Sequence, residues 1–159
     1  MMNFKPKAYG AVAATALLLG AGSAMAENVV TVNAVQIFGT IDPAKINDYT
    51  EYMAGVNLYE ALTTLDGAGA IQPLLAESWT ASEDGLTWTF TLKEGATFQD
   101  GSPIEAKDVV WSVNRLLGIN QGPAYLFEGL LSEGSVTEID SRTVEFKLAK
   151  TYAPFLTTT

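Results

Sequence analysis

Neither cysteine nor histidine occurs in the 159 residues, and basic side chains are scarce, 9 against 18 acidic ones, for a net charge of −9. Each shortage closes off a class of function. Without Cys there is no thiolate nucleophile, and without His there is neither a Ser-His-Asp triad nor a histidine metal site. The basic face that a nucleic acid would need is missing as well. The acid excess names no partner by itself, because most such charge only solvates a surface. One domain is the expectation at this length.

What is present begins with a leader. Lys5 and Lys7 precede an apolar run over 11–20, and Ala24-Met25-Ala26 places small residues at positions 24 and 26. That order of charge, apolar core and small residues is a secretory signal peptide cleaved after Ala26. A membrane anchor is the competing reading, but the run is too short to span a bilayer and is interrupted by glycine. Cleavage would leave seven basic and eighteen acidic residues. No cysteine follows to carry a lipid. The expectation is therefore an exported, periplasmic, soluble product that holds itself together by packing alone.

The periodicity suggests how. "NVVTVNAVQIF" over 28–38 is rich in β-branched residues and reads as a strand, which Asp42-Pro43 ends. From Tyr49 the spacing turns helical, with Tyr52, Val56, Tyr59 and Thr63 in one row and Leu58 and Leu62 beside it. Asp48, three residues before Glu51, supplies an Asp version of the capping box. Gly67 and Gly69 read as a plain turn, since no third glycine and no helix follow as phosphate binding would require. In "ESWTASEDGLTWTFTLKEGATFQDGSP", over 77–103, Leu86, Trp88, Phe90 and Leu92 share one face and Thr87, Thr89 and Thr91 the other. Gly85 and Gly95 fall in the flanking turns. Burying four such apolar side chains is worth about 1.5–3 kcal/mol each, so this hairpin reads as scaffold.

A helix over 106–117, closed by Gly118, presents Val109, Val110, Val113, Leu116 and Leu117 as an apolar stripe. Trp111 falls on the opposite side, which predicts contact from both sides. "GPAYLFEGLL" over 122–131 reads as a loop entering a short helix, and "RTVEFKLAK" as a strand with Val144, Phe146 and Leu148 inward. Carboxylates cluster at Glu83/Asp84, Asp100 and Glu105/Asp108, but in turns and at a helix start. They do not make a convergent acid–base pair or an EF-hand loop.

The order of these motifs resembles a known family. "NLYEALTTLD", then "PLLAESWTASEDGLTWTFTLKEGATFQDGSPIEAKDVVWSVNRLL", then "VTEIDSRTVEFKLAKTYAPFL" is similar to the N-terminal part of the extracellular solute-binding proteins of family 5, over about residues 30–156. One departure is at the second helix start, where Glu105 and Lys107 replace the family's usual Thr or Ser and acidic residue, so a weaker cap is expected. The other is length, since family members run to several hundred residues.

The resemblance implies an α/β (mixed α+β) fold of the class II periplasmic-binding-protein type, N-terminal portion only. Residues 27–41 would carry the first strand of the large lobe and 42–159 most of the small subdomain. It implies the substrate-binding component of an ABC importer, not an enzyme, working as a monomer with the transporter's membrane permease subunits. The solute would be a small molecule, a peptide first, with a nickel complex or sugar as alternatives and no cofactor. Its contacts would be Ile37, Phe38 and Gly39 on the loop leaving the first strand, Tyr49, Tyr52 and Met53 at the start of the first helix, and Tyr125. Each has a plain structural reading, Tyr52 and Met53 as core and Tyr125 as packing. A non-binding remnant, a protein-docking module and a carboxylate hydrolase are the other classes. Residues 27–159 alone are expected not to hold solute tightly, and 79–148 to form the protected unit.

Overall fold

The computed structural model describes residues 39–159 together with Thr31 and Asn33. The expected leader over 1–26 and the expected strand over 28–38, apart from those two residues, lie outside the described residues, and so do Ile37 and Phe38. Residues 39–159 fall within one compact unit.

Its centre is a four-stranded antiparallel sheet made of β3 (Ala76–Ala81), β4 (Thr87–Leu92), β5 (Val136–Asp140) and β6 (Thr143–Lys147), in the order β3-β4-β6-β5. Alternation along β4 and β6 produces the core. Trp88 stands opposite Phe146 and Phe90 opposite Val144, so the large apolar side chains of both strands meet on one face. Phe90, Leu92, Val144 and Phe146 are fully buried, and Phe90 and Phe146 meet edge-on with ring centroids 5.4 Å apart. The opposite face carries Thr87, Thr89 and Thr91, which are half-buried.

Aspartate punctuates the chain reversals. Asp66, Asp84, Asp100 and Asp140 each accept the backbone N–H two residues on, from Ala68, Leu86, Ser102 and Arg142 at 2.8–3.0 Å. Asp66 closes the small antiparallel pair β1 (Thr63–Leu65) and β2 (Ile71–Pro73). The glycine after Asp84, Gly85, takes φ +67°, a left-handed conformation that completes the β3–β4 turn.

α1 (Tyr49–Gly55) and α2 (Ala106–Ile119) are the two principal helices, with a 3₁₀ helix at Gly122–Phe127 and a terminal turn of helix, α3 (Phe155–Thr158). α2 lies against β5 and β6. Val109 is buried, with Val110, Val113, Leu116 and Leu117 packed beside it, as the stripe predicts. The start of α2 is reinforced where a weak cap was expected, because the Asp108 carboxylate accepts the Glu105 N–H at 2.8 Å and Ala106 donates to the Ser141 carbonyl at 2.8 Å.

Four expectations need correction. The first helix stops at Gly55 and Thr63 belongs to β1, so the row Tyr52, Val56, Tyr59, Thr63 is not one continuous helical stripe. The chain leaves α1 through turns whose N–H groups at 58 and 59 both return to the Gly55 carbonyl. α2 runs through Gly118 to Ile119 and is closed by Asn120 at φ +51°. Asn can occupy this left-handed cap because its short polar side chain tolerates it. Trp111 is 65% exposed, and its partner is a guanidinium, with Arg115 Cζ 5.7 Å from the ring centroid. Finally, the core reaches beyond 79–148 to Leu62, Leu75 and Phe155.

Candidate functional site

The candidate wall is built from the segment that precedes α1. Asp42 opens it by folding the chain back on itself, its main-chain oxygen accepting from Lys45 and Ile46 at 2.9 and 3.1 Å. Its side chain accepts the Ala44 N–H at 3.1 Å. Both carboxylate oxygens are then gripped by Arg115 of α2 in a fork, at 2.8 and 2.6 Å. The Arg115 hydrogen bond holds the Asp42 carboxyl at about 2, well below the usual carboxylate range. Arg115 thus joins Asp42 on one side to the Trp111 ring on the other.

The second anchor is Glu51. Asp48 caps α1 through a bond from the Glu51 N–H at 3.0 Å, as the sequence spacing predicts. The Glu51 side chain does not return to the cap residue as an ordinary capping box would. Its Oε1 accepts the N–H groups of Gly39 and Thr40, both at 2.9 Å, and its Oε2 accepts that of Asn47 at 3.1 Å. The residue is only 3% exposed. Three converging backbone donors and the positive end of a helix are what make a buried carboxylate tolerable here. The approach is close at Gly39, where a Cβ would sit 2.7 Å from Oε1 and would push the carboxylate aside.

Ile46 supplies the third tie. Its Cδ1 reaches within 2.9 Å of where a Gly55 Cβ would stand, and its carbonyl within 2.7 Å of where a Gly122 Cβ would stand. Residues 45 and 46 therefore press on α1 and on the first residue of the 3₁₀ helix together, and at Gly122, where the neighbour is backbone, only glycine fits. Gly122 is also held at φ +49°.

Against this frame the sequence-derived residues divide. Ile37 and Phe38 lie outside the described residues. Gly39 is bound to Glu51. Tyr49, Tyr52 and Met53 fall three and four positions apart along α1, hence on one face, and are 74%, 59% and 44% exposed. Neither Tyr52 nor Met53 is core, since the buried residues of α1 are Thr50, Glu51 and Gly55. Tyr125, on the 3₁₀ helix, is 71% exposed and lines a shallow cleft of about 290 Å³ with Leu126, Leu130, Lys150 and Tyr152. That cleft contains none of the α1 residues. A larger concavity of about 590 Å³, between the end of α2 and the following chain, is lined by Asn114, Asn120 and Phe127 and contains none of the sequence-derived residues. The structure brings the loop and α1 together, and Tyr125 stands apart on the 3₁₀ helix, whose first residue, Gly122, packs against residues 45 and 46.

The sequence reading missed Glu51 as an anchor, and missed Asp42 and Arg115 as a pair. Glu51 was visible only as the third residue of a cap. Its acceptor role depends on donors 11 and 12 positions away, for which no local pattern exists. Most of the carboxylates that could suggest hydrolysis are occupied locally: Asp84 with Ser82 and Leu86, Asp100 with Ser102, Asp108 with the Glu105 N–H, and Glu105 with Lys107. Among the described residues, no three His, Cys, Asp or Glu side chains are grouped to hold a metal ion. No helix among them is long and apolar enough to cross a membrane.

Known proteins are similar to this chain in sequence and fold. The family model described as bacterial extracellular solute-binding proteins, family 5 Middle, matches residues 70–159. The probable D,D-dipeptide-binding periplasmic protein DdpA of Escherichia coli K12 is 35% identical over 99% of this chain and 31% of its own. The glutathione-binding protein GsiB of Escherichia coli O1:K1 is 35% identical over 90% of this chain and 27% of its own. The chain therefore spans under a third of the length of these curated relatives. Among solved structures, the murein tripeptide binding protein MppA of Escherichia coli superposes with a TM-score of 0.66 at 30% identity, over 74% of this chain and 26% of that one. The mixed α/β fold is that of a periplasmic binding protein, over about a quarter of such a protein's length. The chain belongs to the bacterial extracellular solute-binding proteins, family 5.

Proposed function

We propose that this chain forms part of the solute-binding wall of a periplasmic ABC-importer component that captures a short peptide and delivers it to membrane permease subunits. The observation that carries the reading is the exposed row Tyr49, Tyr52 and Met53, held on a helix whose first turn is fastened to Gly39 by Glu51. Phenol and thioether side chains on a rigid element are the lining that small-molecule sites use, apolar with a few polar tips. The peptide class is supported by the relatives, whose names cite a D,D-dipeptide, glutathione and a murein tripeptide. In this reading residues 1–26 are a leader removed after Ala26, 27–41 belong to the large lobe, and 42–159 form most of the small subdomain. Ile37 and Phe38 offer backbone groups to the solute, Gly39 adjoins it with its N–H already given to Glu51, and Tyr125 flanks it. The protein acts as a monomer, without enzymatic activity or a cofactor.

A single wall cannot exclude water from a peptide, and hinge closure between two lobes does so in such proteins. Calorimetry should therefore be run on the complete product of the reading frame that carries this chain, with D-alanyl-D-alanine and glutathione as probes. Saturable binding of either by the complete product, and none by residues 27–159 alone, is the expected result. Tyr125→Ala should weaken that binding by roughly fivefold or more, the cost of removing a contact worth about 1 kcal/mol. Absence of binding to both peptides by the complete product would refute the peptide reading.

A further inference from the structure

Residues 39–47 form a stretch of chain with little regular structure, and yet it carries or borders most of the proposed contacts. Loops of this kind hold a geometry only where something over-determines it. Here the two ends of the stretch are gathered at one point. Gly39 and Thr40 at its beginning and Asn47 at its end all donate to the single Glu51 side chain. Glu51 is itself placed by the helix that bears Tyr49, Tyr52 and Met53. The loop therefore cannot shift relative to those side chains without breaking bonds to a buried carboxylate, which would strand its oxygens.

We propose that Glu51 is the positioning residue of the solute-binding wall, fixing the main chain at Gly39 and Thr40 in one register with the exposed face of α1. The proposal rests on the reading of Gly39, Tyr49, Tyr52 and Met53 as solute-facing. Glu51 touches no solute in it. Its carboxylate sets where the adjoining backbone and aromatic groups stand before a peptide arrives, so that less ordering remains to be done on binding. The chemistry demands a carboxylate. Three N–H donors need two acceptor oxygens, and a Gln side chain would turn an NH₂ group toward at least one of them.

Two measurements test this, and they separate its failure from that of the proposed function. The first is residue-resolved amide exchange on the 159-residue chain. In Glu51→Gln the Asn47 amide, or the Gly39 and Thr40 pair, should exchange at least tenfold faster. In Glu51→Ala all three should do so, while Phe90, Val144 and Phe146 in the sheet change by less than twofold. Unchanged exchange at all three amides in Glu51→Ala overturns the tether. A uniform rise that includes the sheet overturns it too, because Glu51 would then serve only global stability. The second is calorimetry of glutathione and D-alanyl-D-alanine with the complete product, where Glu51→Gln should weaken the bound peptide at least fivefold with the melting temperature little changed. Lost amide protection with unaltered affinity overturns the positioning role. If the unmutated complete product binds neither peptide, the peptide reading is what fails, and the exchange result alone decides whether Glu51 fixes the loop.

Discussion

Phe155 offers the sharpest test of how this chain holds together. It lies on α3, seven residues past the last strand residue that the sequence pattern marks as inward, Leu148, and it is fully buried. Its ring centroid is 5.5 Å from Trp88, 5.5 Å from Phe146 and 6.2 Å from Phe90, so it closes the aromatic cluster formed by β4 and β6. Phe155→Ala removes the buried ring and leaves a cavity, which typically costs about 3–5 kcal/mol. Each aromatic pair lost adds about 0.5–1.5 kcal/mol beyond its area, so the upper half of that range is expected. Against a total stability of about 5–15 kcal/mol, that is a large fraction. At about 4 °C per kcal/mol for a domain of this size, the melting temperature should fall by roughly 16–20 °C. Thermal unfolding followed by circular dichroism measures the fall, and the near-ultraviolet band of Trp88 should weaken in the folded state. Phe98→Ala, at an exposed position, serves as the control and should stay within about 1 kcal/mol of the parent. A fall of less than about 3 °C for Phe155→Ala would refute the argument that α3 completes the core.

Acid should unfold the protein in a defined window. The carboxyls of Asp42, Asp66, Asp84, Asp100 and Asp140 are all held below their ordinary 3.8, Asp42 at about 2 by Arg115 and the turn residues mainly by local N–H and hydroxyl donors. A depressed native value stabilises above the unfolded one, so their contribution is complete above about pH 4 and is lost as the pH falls toward 2. Denaturant titrations should show a steeper loss over that interval in the parent than in Asp42→Asn, and parallel curves would exclude Asp42. Asn120→Gly should leave stability within a few tenths of a kcal/mol or raise it, whereas Asn120→Ala should lower it by about 1 kcal/mol, because only the alanine is strained in the left-handed cap. Equal midpoints for the two variants would contradict the cap assignment. Gly122→Ala meets both a positive φ and the Ile46 carbonyl, so it should cost more than about 1 kcal/mol and speed exchange around 45–48, and unchanged exchange there would deny the contact.

Periodicity, turn chemistry and local capping could be read directly from the chain. The alternation in 86–92 and 143–148 marked the buried face that the sheet uses, because a strand's side chains alternate whatever lies beyond it. Asp-Gly pairs at 66–67, 84–85 and 100–101 marked turns, since an Asp side chain finds its own N–H donor two residues on. Asp48 marked the start of α1 and the order of motifs marked the family, which carried the fold with it. Helix ends were less legible. Gly118 looked like a terminator and Asn120 was the real one, because packing of the apolar stripe carried α2 past a weak local signal. Tertiary structure alone decided the pairings that organise the candidate wall. Arg115 meets Asp42 from 73 residues away. Glu51 spends its side chain on Gly39 and Thr40 and not on its own helix cap. A carboxylate looks the same in sequence whether it faces water or three backbone N–H groups of another segment. Which of these it does depends on where distant backbone comes to rest, and folding settles that when it buries one polar group and must supply another to meet it.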